Sequence, residues 1–126
     1  MKLFDILILD SRKEENRKII NNVLIKIKPI RNKMKKEGHK KSDIVPLEYL
    51  EKFLQVMYKN TGYCTQWLST CYNSDTRDFL HYSIGVLDAK RNWIDNVNGK
   101  TLWEVYAKVV ILMYDSYLKG GKDEVR

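Results

Sequence analysis

The sequence predicts an all-α fold, a compact bundle of about five helices, and three observations lead to this prediction. Apolar residues recur at helical spacing over most of the chain, polar capping residues precede several of these stretches, and the connections between them are short. With 126 residues, 44% of them hydrophobic, the chain can bury one core, so a single domain over residues 1–126 is expected.

The N-terminal part of the chain predicts one helix after a short apolar run. Residues 3–9 are too few for periodicity to decide, so a short strand and a buried helical turn both remain open. Ser11 and Glu14 have the spacing of a capping box, which predicts that a helix begins near Arg12. Pro29 is then expected to end or kink this helix.

The middle of the chain predicts a solvated stretch followed by a second amphipathic helix. Residues 31–41 combine a run of charges with one apolar residue and Gly38, so a helix end and a mobile loop are expected. Pro46 is tolerated in a first helical turn, and apolar residues recur at three and four after it. Gly62 is expected to end that helix.

The second half predicts three further helices. Cys64 and Cys71 lie along one stripe of a short helix, and residues 75–96 carry two adjoining apolar rows around Gly85, whose place in a helix favours a close helix crossing. Residues 102–118 are apolar on most of the helical circumference. That helix must be the central element of the domain or the interface of a homo-oligomer.

Compartment is predicted from the cysteines and from the lengths of the apolar runs. On one helix the two cysteines would be about 10 Å apart, which is too far for a disulfide and typical of thiols in a reducing compartment. The apolar run 109–114 is much shorter than the roughly 20 residues that a membrane span needs. Asp5 interrupts the N-terminal apolar run, and no cleavage site follows. A cytoplasmic protein without a membrane partner is therefore expected.

Charge and aromatic residues are segregated along the chain. Residues 1–41 contain 13 Lys or Arg and 5 Asp or Glu, whereas residues 42–126 contain 10 and 11, so the net charge of +7 arises in the first third. Phe4 is the only aromatic residue before position 42, and thirteen follow. The chain thus divides into a basic N-terminal third (12–41) and an aromatic-rich helical body (43–119).

The strongest candidate site is a cationic stretch in which Glu37 is the only acid. Its members are Lys26, Lys28, Arg31, Lys33, Lys35, Lys36, Lys40 and Lys41. Lys and Arg neutralise phosphates and release counterions, so this stretch predicts binding to RNA, DNA or a nucleoprotein complex. An acidic protein surface is an alternative partner, and a solvated face without a partner also remains open. No aromatic residue is interleaved with these cations, so no base-stacking platform is predicted.

Catalytic and metal chemistry find little support in the sequence. Of the two histidines, His39 is expected to be exposed in the mobile loop and His81 to be a packed or surface residue of a helix. Cys64, Cys71 and His81 are the candidate zinc ligands, and none has the spacing of a ligand pair. No phosphate-binding glycine loop is present. We therefore expect no enzymatic activity, no catalytic residue, no metal and no cofactor.

Two local resemblances concern proteins that act with RNA. Arg77 and His81 resemble the Arg–His pair of HEPN ribonucleases, although three residues rather than four to six separate them. Residues 102–123 resemble the C-terminal helix of the small helical backbone subunits in type III CRISPR effector complexes, which line the path of guide and target RNA. The Thr/Ser-Lys-Leu-Arg motif of that family is missing.

These observations lead to one leading hypothesis and two alternatives. The leading hypothesis is a non-enzymatic, small, basic helical protein that binds nucleic acid or a ribonucleoprotein assembly. The first alternative is a phage or mobile-element protein that inhibits or adapts a host protein of defence or nucleic-acid processing. The second, minor alternative is a HEPN-like ribonuclease that uses His81.

Overall fold

The fold combines five α-helices with one three-stranded antiparallel sheet, as described for residues 2–121 by a computed structural model. The elements are α1 (Leu3–Leu7), α2 (Glu14–Leu24), α3 (Lys28–Lys36), α4 (Leu47–Thr61), β1 (Cys64–Tyr72), β2 (Phe79–Leu87), β3 (Trp93–Gly99), α5 (Leu102–Ser116) and a π-helical turn (Tyr117–Gly121). The predicted all-α helical bundle is therefore wrong, because the aromatic-rich body 43–119 contains a sheet. Lys122 and Asp123, the last residues of the CRISPR-like segment, lie outside the described residues.

The sheet replaces the two helices predicted around Cys64–Cys71 and over residues 75–96. In β2, Leu80, Tyr82, Ile84 and Val86 alternate with residues of the other face, which is the period of a strand. The same residues also fall on two adjoining helical rows, so periodicity alone did not separate the two structures. Their aromatic and β-branched character favours the strand.

A tight turn that helical periodicity overlooked separates β2 from β3. The carboxylate of Asp88 accepts the backbone N–H groups of Lys90 and Asn92, each at 2.9 Å. Arg91 adopts a left-handed backbone with φ +67°. Asp and Asn form such local bonds in place of helical ones. A continuous helix through this segment is thereby excluded.

The strand order is β1-β2-β3, and the sheet presents one face to the helices. Ile84 pairs with Val97 across β2 and β3, and both are buried on the helical side. On the opposite face, a Cβ at Gly85 would come within 2.7 Å of the ring of Trp93. Gly85 thus permits the close approach of a tryptophan ring, and the expected close helix crossing is wrong, because Gly85 lies in a strand.

The most apolar helix, α5, occupies the centre of the domain. It contacts α1, α2 and α4 as well as strands β2 and β3. Its buried apolar residues are Val105, Ala107, Val109, Val110, Ile111, Leu112 and Met113. Between the two possibilities left open by the sequence, the structure shows the central element, whose apolar surface is covered within the chain. None of the helices in residues 2–121, α5 included, is long and apolar enough to cross a membrane.

The N-terminal helices differ from the prediction in their boundaries. Residues 3–7 form a helical turn with Ile6 buried, which decides between the two structures left open for that run. Helix α2 begins at Glu14, and its N-cap residue Lys13 makes no side-chain capping bond. The predicted capping role of Ser11 is therefore wrong. Its N–H instead donates to Glu104 of α5, 93 residues away.

Glu104 is a buried carboxylate that joins three parts of the chain. Only 2% of it is exposed, and it accepts the N–H of Ser11 at 2.5 Å and the N–H of Lys100 at 2.9 Å. The ammonium of Lys108, one turn further along α5 and equally buried, donates to it at 3.0 Å. Its own N–H donates to the Thr101 hydroxyl, as a capping box predicts, but its carboxylate reaches beyond that box.

We expect Glu104→Ala to lower the free energy of unfolding by about 3–5 kcal/mol, because it leaves the Lys108 ammonium buried without its partner. Lys108→Met should lower the free energy of unfolding by less, since the Glu104 carboxylate would keep its two backbone N–H donors. The double variant should be more stable than the sum of both losses implies. Urea unfolding followed by circular dichroism measures all three, and a cost below about 1 kcal/mol for Glu104→Ala would contradict this role.

Candidate nucleic-acid interface

All eight predicted basic residues are exposed, and five of them belong to one helix, of which the sequence predicted only the end. Helix α3 spans Lys28–Lys36, with Pro29 in its first turn rather than at the end of α2. Ile30 and Met34 are buried on its inner side and fix it to the body. Of the helix end and loop expected over residues 31–41, the helix thus extends to Lys36, and the chain turns back after it.

Five of the eight cations surround one groove with a volume of about 560 Å³. We call this the basic groove, and its cations are Lys26, Arg31, Lys35, Lys40 and Lys41. The remaining lining residues are Asn22, Ile25, Asn32, Met34 and His39. No Asp or Glu side chain is among these ten residues. The groove thus presents positive charge together with amide and imidazole groups and two apolar side chains.

The other three predicted residues lie outside the basic groove. The ammonium of Lys33 is 4.9 Å from the centroid of the Tyr49 ring, a cation–π contact with α4. Lys28 and Lys36 are exposed on α3, and neither lines the groove. Of the eight predicted residues, five therefore line the basic groove, one makes a packing contact with α4, and two lie on the open surface of α3.

Gly38 turns the chain back so that Lys40 and Lys41 reach the groove. It has φ +78°, and its N–H donates to the carbonyl of Lys35, while the N–H of His39 donates to that of Met34. These two bonds form a Schellman motif, in which glycine is favoured because the left-handed backbone strains other residues. The glycine therefore shapes the groove as well as ending α3.

His39 anchors the returning chain and is not the solvent-exposed residue that was expected. Its Nε2 lies 3.1 Å from the hydroxyl of Tyr49, and its Nδ1 lies 3.3 Å from the carboxylate of Asp43. The same carboxylate accepts the N–H of Lys40 at 2.9 Å. One cation of the groove is thereby held through its own backbone, and its ammonium stays available.

The environment of Asp43 gives the loop a pH dependence. The N–H bond from Lys40, followed by the contact with His39, holds the pKa of Asp43 below its usual value. A carboxyl group whose pKa is lowered by folding stabilises the fold above its unfolded pKa of about 3.9. This contribution is lost as the pH falls through the lower pKa of the folded state, so the loop is held firmly at neutral pH.

Asn21 fixes the opposite wall of the groove. It is 2% exposed, its amide donates to the carbonyl of Asp43 at 2.9 Å, and its oxygen accepts the N–H of Val45 at 2.8 Å. Both bonds link α2 to the segment that follows Lys41. A buried polar side chain therefore holds the returning chain, which carries Lys40 and Lys41, against α2.

Sequence analysis identified the cations of the groove but not its other lining residues. Asn22 and Ile25 lie three apart on α2, and Asn32 and Lys35 lie three apart on α3, so helical spacing places each pair on one face. That spacing was the available signal for the groove walls. The approach of α2, α3 and the loop to one another depends on Asn21 and Gly38, which sequence spacing does not reveal.

The remaining sequence candidates do not come together as expected. Arg77 lies in the turn between β1 and β2 with φ +64°, and His81 lies in β2, so the shared helix face required by the HEPN comparison is absent. Cys64 and Cys71 are free thiols in one strand rather than on a helix stripe. Within residues 2–121, no group of three His, Cys, Asp or Glu side chains is arranged to hold a metal ion.

Asn21→Ala should lower the free energy of unfolding by about 1–3 kcal/mol, because it leaves the N–H of Val45 and the carbonyl of Asp43 buried without partners. Hydrogen exchange at the Val45 amide should accelerate accordingly. The neighbouring exposed residue offers a control, since Asn22→Ala is expected to change stability by no more than about 0.5 kcal/mol. Equal effects of the two substitutions would show that Asn21 does not hold the groove wall.

Comparison with known proteins assigns no family to this chain. No protein-family model matches it, and no curated protein or solved structure is significantly similar to it. Function is therefore best inferred from the charge and geometry of the basic groove.

Proposed function

We propose that this protein binds nucleic acid, RNA or DNA, by placing backbone phosphates in the basic groove. The observation that carries the proposal is that five cationic side chains, from the turn between α2 and α3, from α3 itself and from the returning loop, surround one groove, and no carboxylate lines it. Segregated positive charge of this kind is the electrostatic signature of a polyanion site. The role is one of binding, without a catalytic step.

The groove cations are available to a ligand. In the part of the chain that the structure describes, none of the five forms an ion pair. Each can therefore replace a counterion at a phosphate. Neutralising up to five phosphates gives a slope of log affinity against log salt concentration of about −3.5 for single strands and −4.5 for B-form DNA.

An extended polyanion fits this surface better than a small anion does. Lys28 and Lys36 continue the positive charge along α3 beyond the groove. A groove of about 560 Å³ has the size of a site for one small molecule. A single nucleotide would leave those outer cations unused, whereas a strand that enters and leaves the groove passes them.

Arg31 and the neutral lining residues add directional contacts to this charge. The guanidinium of Arg31 can bind a phosphate through two parallel N–H bonds, which a lysine cannot do. Asn22 and Asn32 offer amides that can donate to sugar or phosphate oxygens. Contacts of this type orient a strand without selecting a sequence, so binding with little sequence preference is expected.

The double variant Lys35→Gln/Lys41→Gln should weaken binding about 10- to 50-fold at 0.1 M salt and reduce the salt slope by roughly 1.5 to 2, because two phosphate contacts are lost. Fluorescence anisotropy with mixed-sequence single-stranded RNA, single-stranded DNA and duplex DNA, titrated with salt, measures both quantities. The comparison among the three probes also identifies the preferred nucleic acid.

The matched control is Lys13→Gln/Lys52→Gln, which removes the same charge from exposed positions outside the basic groove. It should change affinity no more than about threefold, since only the long-range field is altered. If wild-type protein bound none of the three probes at low salt, or if both double variants lost affinity equally, the proposal would be wrong.

A further inference from the structure

The edge strand β1 lacks the charge and the proline that usually protect a sheet edge. Among residues 2–121 it pairs with β2 alone, in the order β1-β2-β3, so the backbone groups of its other edge point away from the sheet. Its nine residues, Cys64–Tyr72, include no Asp, Glu, Lys, Arg or Pro. An uncharged edge of this length is a template for pairing with another strand.

Exposed apolar side chains accompany this open edge. Trp67 is 83% exposed, Leu68 45% and Tyr72 57%. A bulge places Trp67 and Leu68 together opposite a single β2 residue, Ile84, and every residue from 65 to 70 is exposed. Large apolar side chains clustered on a surface indicate a contact with another molecule. The opposite edge differs, because β3 carries the charged residue Asp95 in its middle.

We propose that β1 pairs antiparallel with β1 of a second copy, joining two three-stranded sheets into one continuous six-stranded sheet. A two-fold axis near Leu68 would align all nine residues of both strands, a length of about 30 Å. Such an interface is isologous, so the same residues serve on both sides. No like charges oppose each other along the strand, since it contains none.

Charge at the two ends of β1 favours a second copy in the antiparallel direction. At the start of the strand, the guanidinium of Arg91 lies 3.7 Å from Cys64 Sγ, and Arg91 shares a surface depression with Lys59. At the far end, the turn 73–78 exposes Asp75 and Asp78 beside a single cation, Arg77. Antiparallel pairing brings each basic end to the acidic end of the other copy, whereas parallel pairing would bring like ends together.

The oligomeric state tests this proposal directly. Sedimentation equilibrium of the full chain should show a concentration-dependent mass approaching twice the 15.0 kDa of the monomer. The variant Trp67→Lys/Thr70→Lys should raise the dissociation constant about tenfold or more, because two lysines on the edge strand of each copy repel those of the other and oppose edge pairing. Both positions are exposed, so the fold should be kept, and circular dichroism verifies this.

A matched control adds the same charge at exposed apolar positions outside β1, with Ile8→Lys/Val56→Lys. This control should remain dimeric. Purely monomeric wild-type protein at 200 µM, about the upper end of a practical titration, would overturn the proposal. A dimer that survives Trp67→Lys/Thr70→Lys would also overturn it, because self-association would then use another surface.

A charge exchange tests the antiparallel direction. Arg91→Glu should weaken the dimer, and the further substitutions Asp75→Arg and Asp78→Arg should restore it, since the two ends would again carry opposite charge. Failure of the exchange to restore the dimer would overturn the antiparallel arrangement. These residues lie outside the basic groove, so nucleic-acid binding by each variant, measured at protein concentrations where it is monomeric, reports separately on the proposed function.

Discussion

The buried carboxylate of Glu104 is the interaction on which the arrangement of this fold depends. It accepts hydrogen bonds from Ser11 and Lys100 and contacts the Lys108 ammonium, so it joins the chain before α2, the turn after β3 and the central helix. A buried charge is tolerated only when donors surround it, and one of these donors, the N–H of Ser11, lies 93 residues away in the sequence. The network therefore requires that helices and sheet assemble together around α5.

The helices that pack on this centre are largely encoded by local patterns. Periodicity predicted α5 as an apolar helix that is either central or part of an interface, and it predicted α4 together with its end at Gly62, which has φ +83°. The sheet was not predicted, because the alternating apolar residues of β2 also fit two helical rows. What separates the two structures is turn chemistry at Asp88 and Asn92, together with aromatic and β-branched content. These signals outweigh helical periodicity when strands are short and adjoining.

In the basic groove, too, the sequence predicted what depends on local patterns and missed what depends on contacts between distant residues. The eight cations were predicted as a set and are all exposed, because nothing in a run of lysines favours burial. The sequence did not predict which of these cations line the basic groove, since that depends on where α3 ends and on the path of the chain after Gly38. Asn21 and His39 determine that path, and both had been given other roles or none. These two polar side chains therefore determine the geometry of the groove, and a count of charges along the sequence does not reveal it.

The position of these polar anchors explains how a dense cationic surface is compatible with a stable fold. Lysines that repel one another would favour an expanded loop, yet Asn21, His39 and Asp43 hold its backbone without neutralising the groove ammonium groups. Because the anchors bind backbone atoms or one another, the five cations remain free of carboxylates. If the groove binds a phosphate strand as proposed, little ordering of its backbone would be required, which would lower the entropic cost of binding. The edge strand β1 is not part of the basic groove, so pairing of two copies through β1 would leave each groove open. The dimer would then present two polyanion sites, which would increase its avidity without any new contact to the ligand.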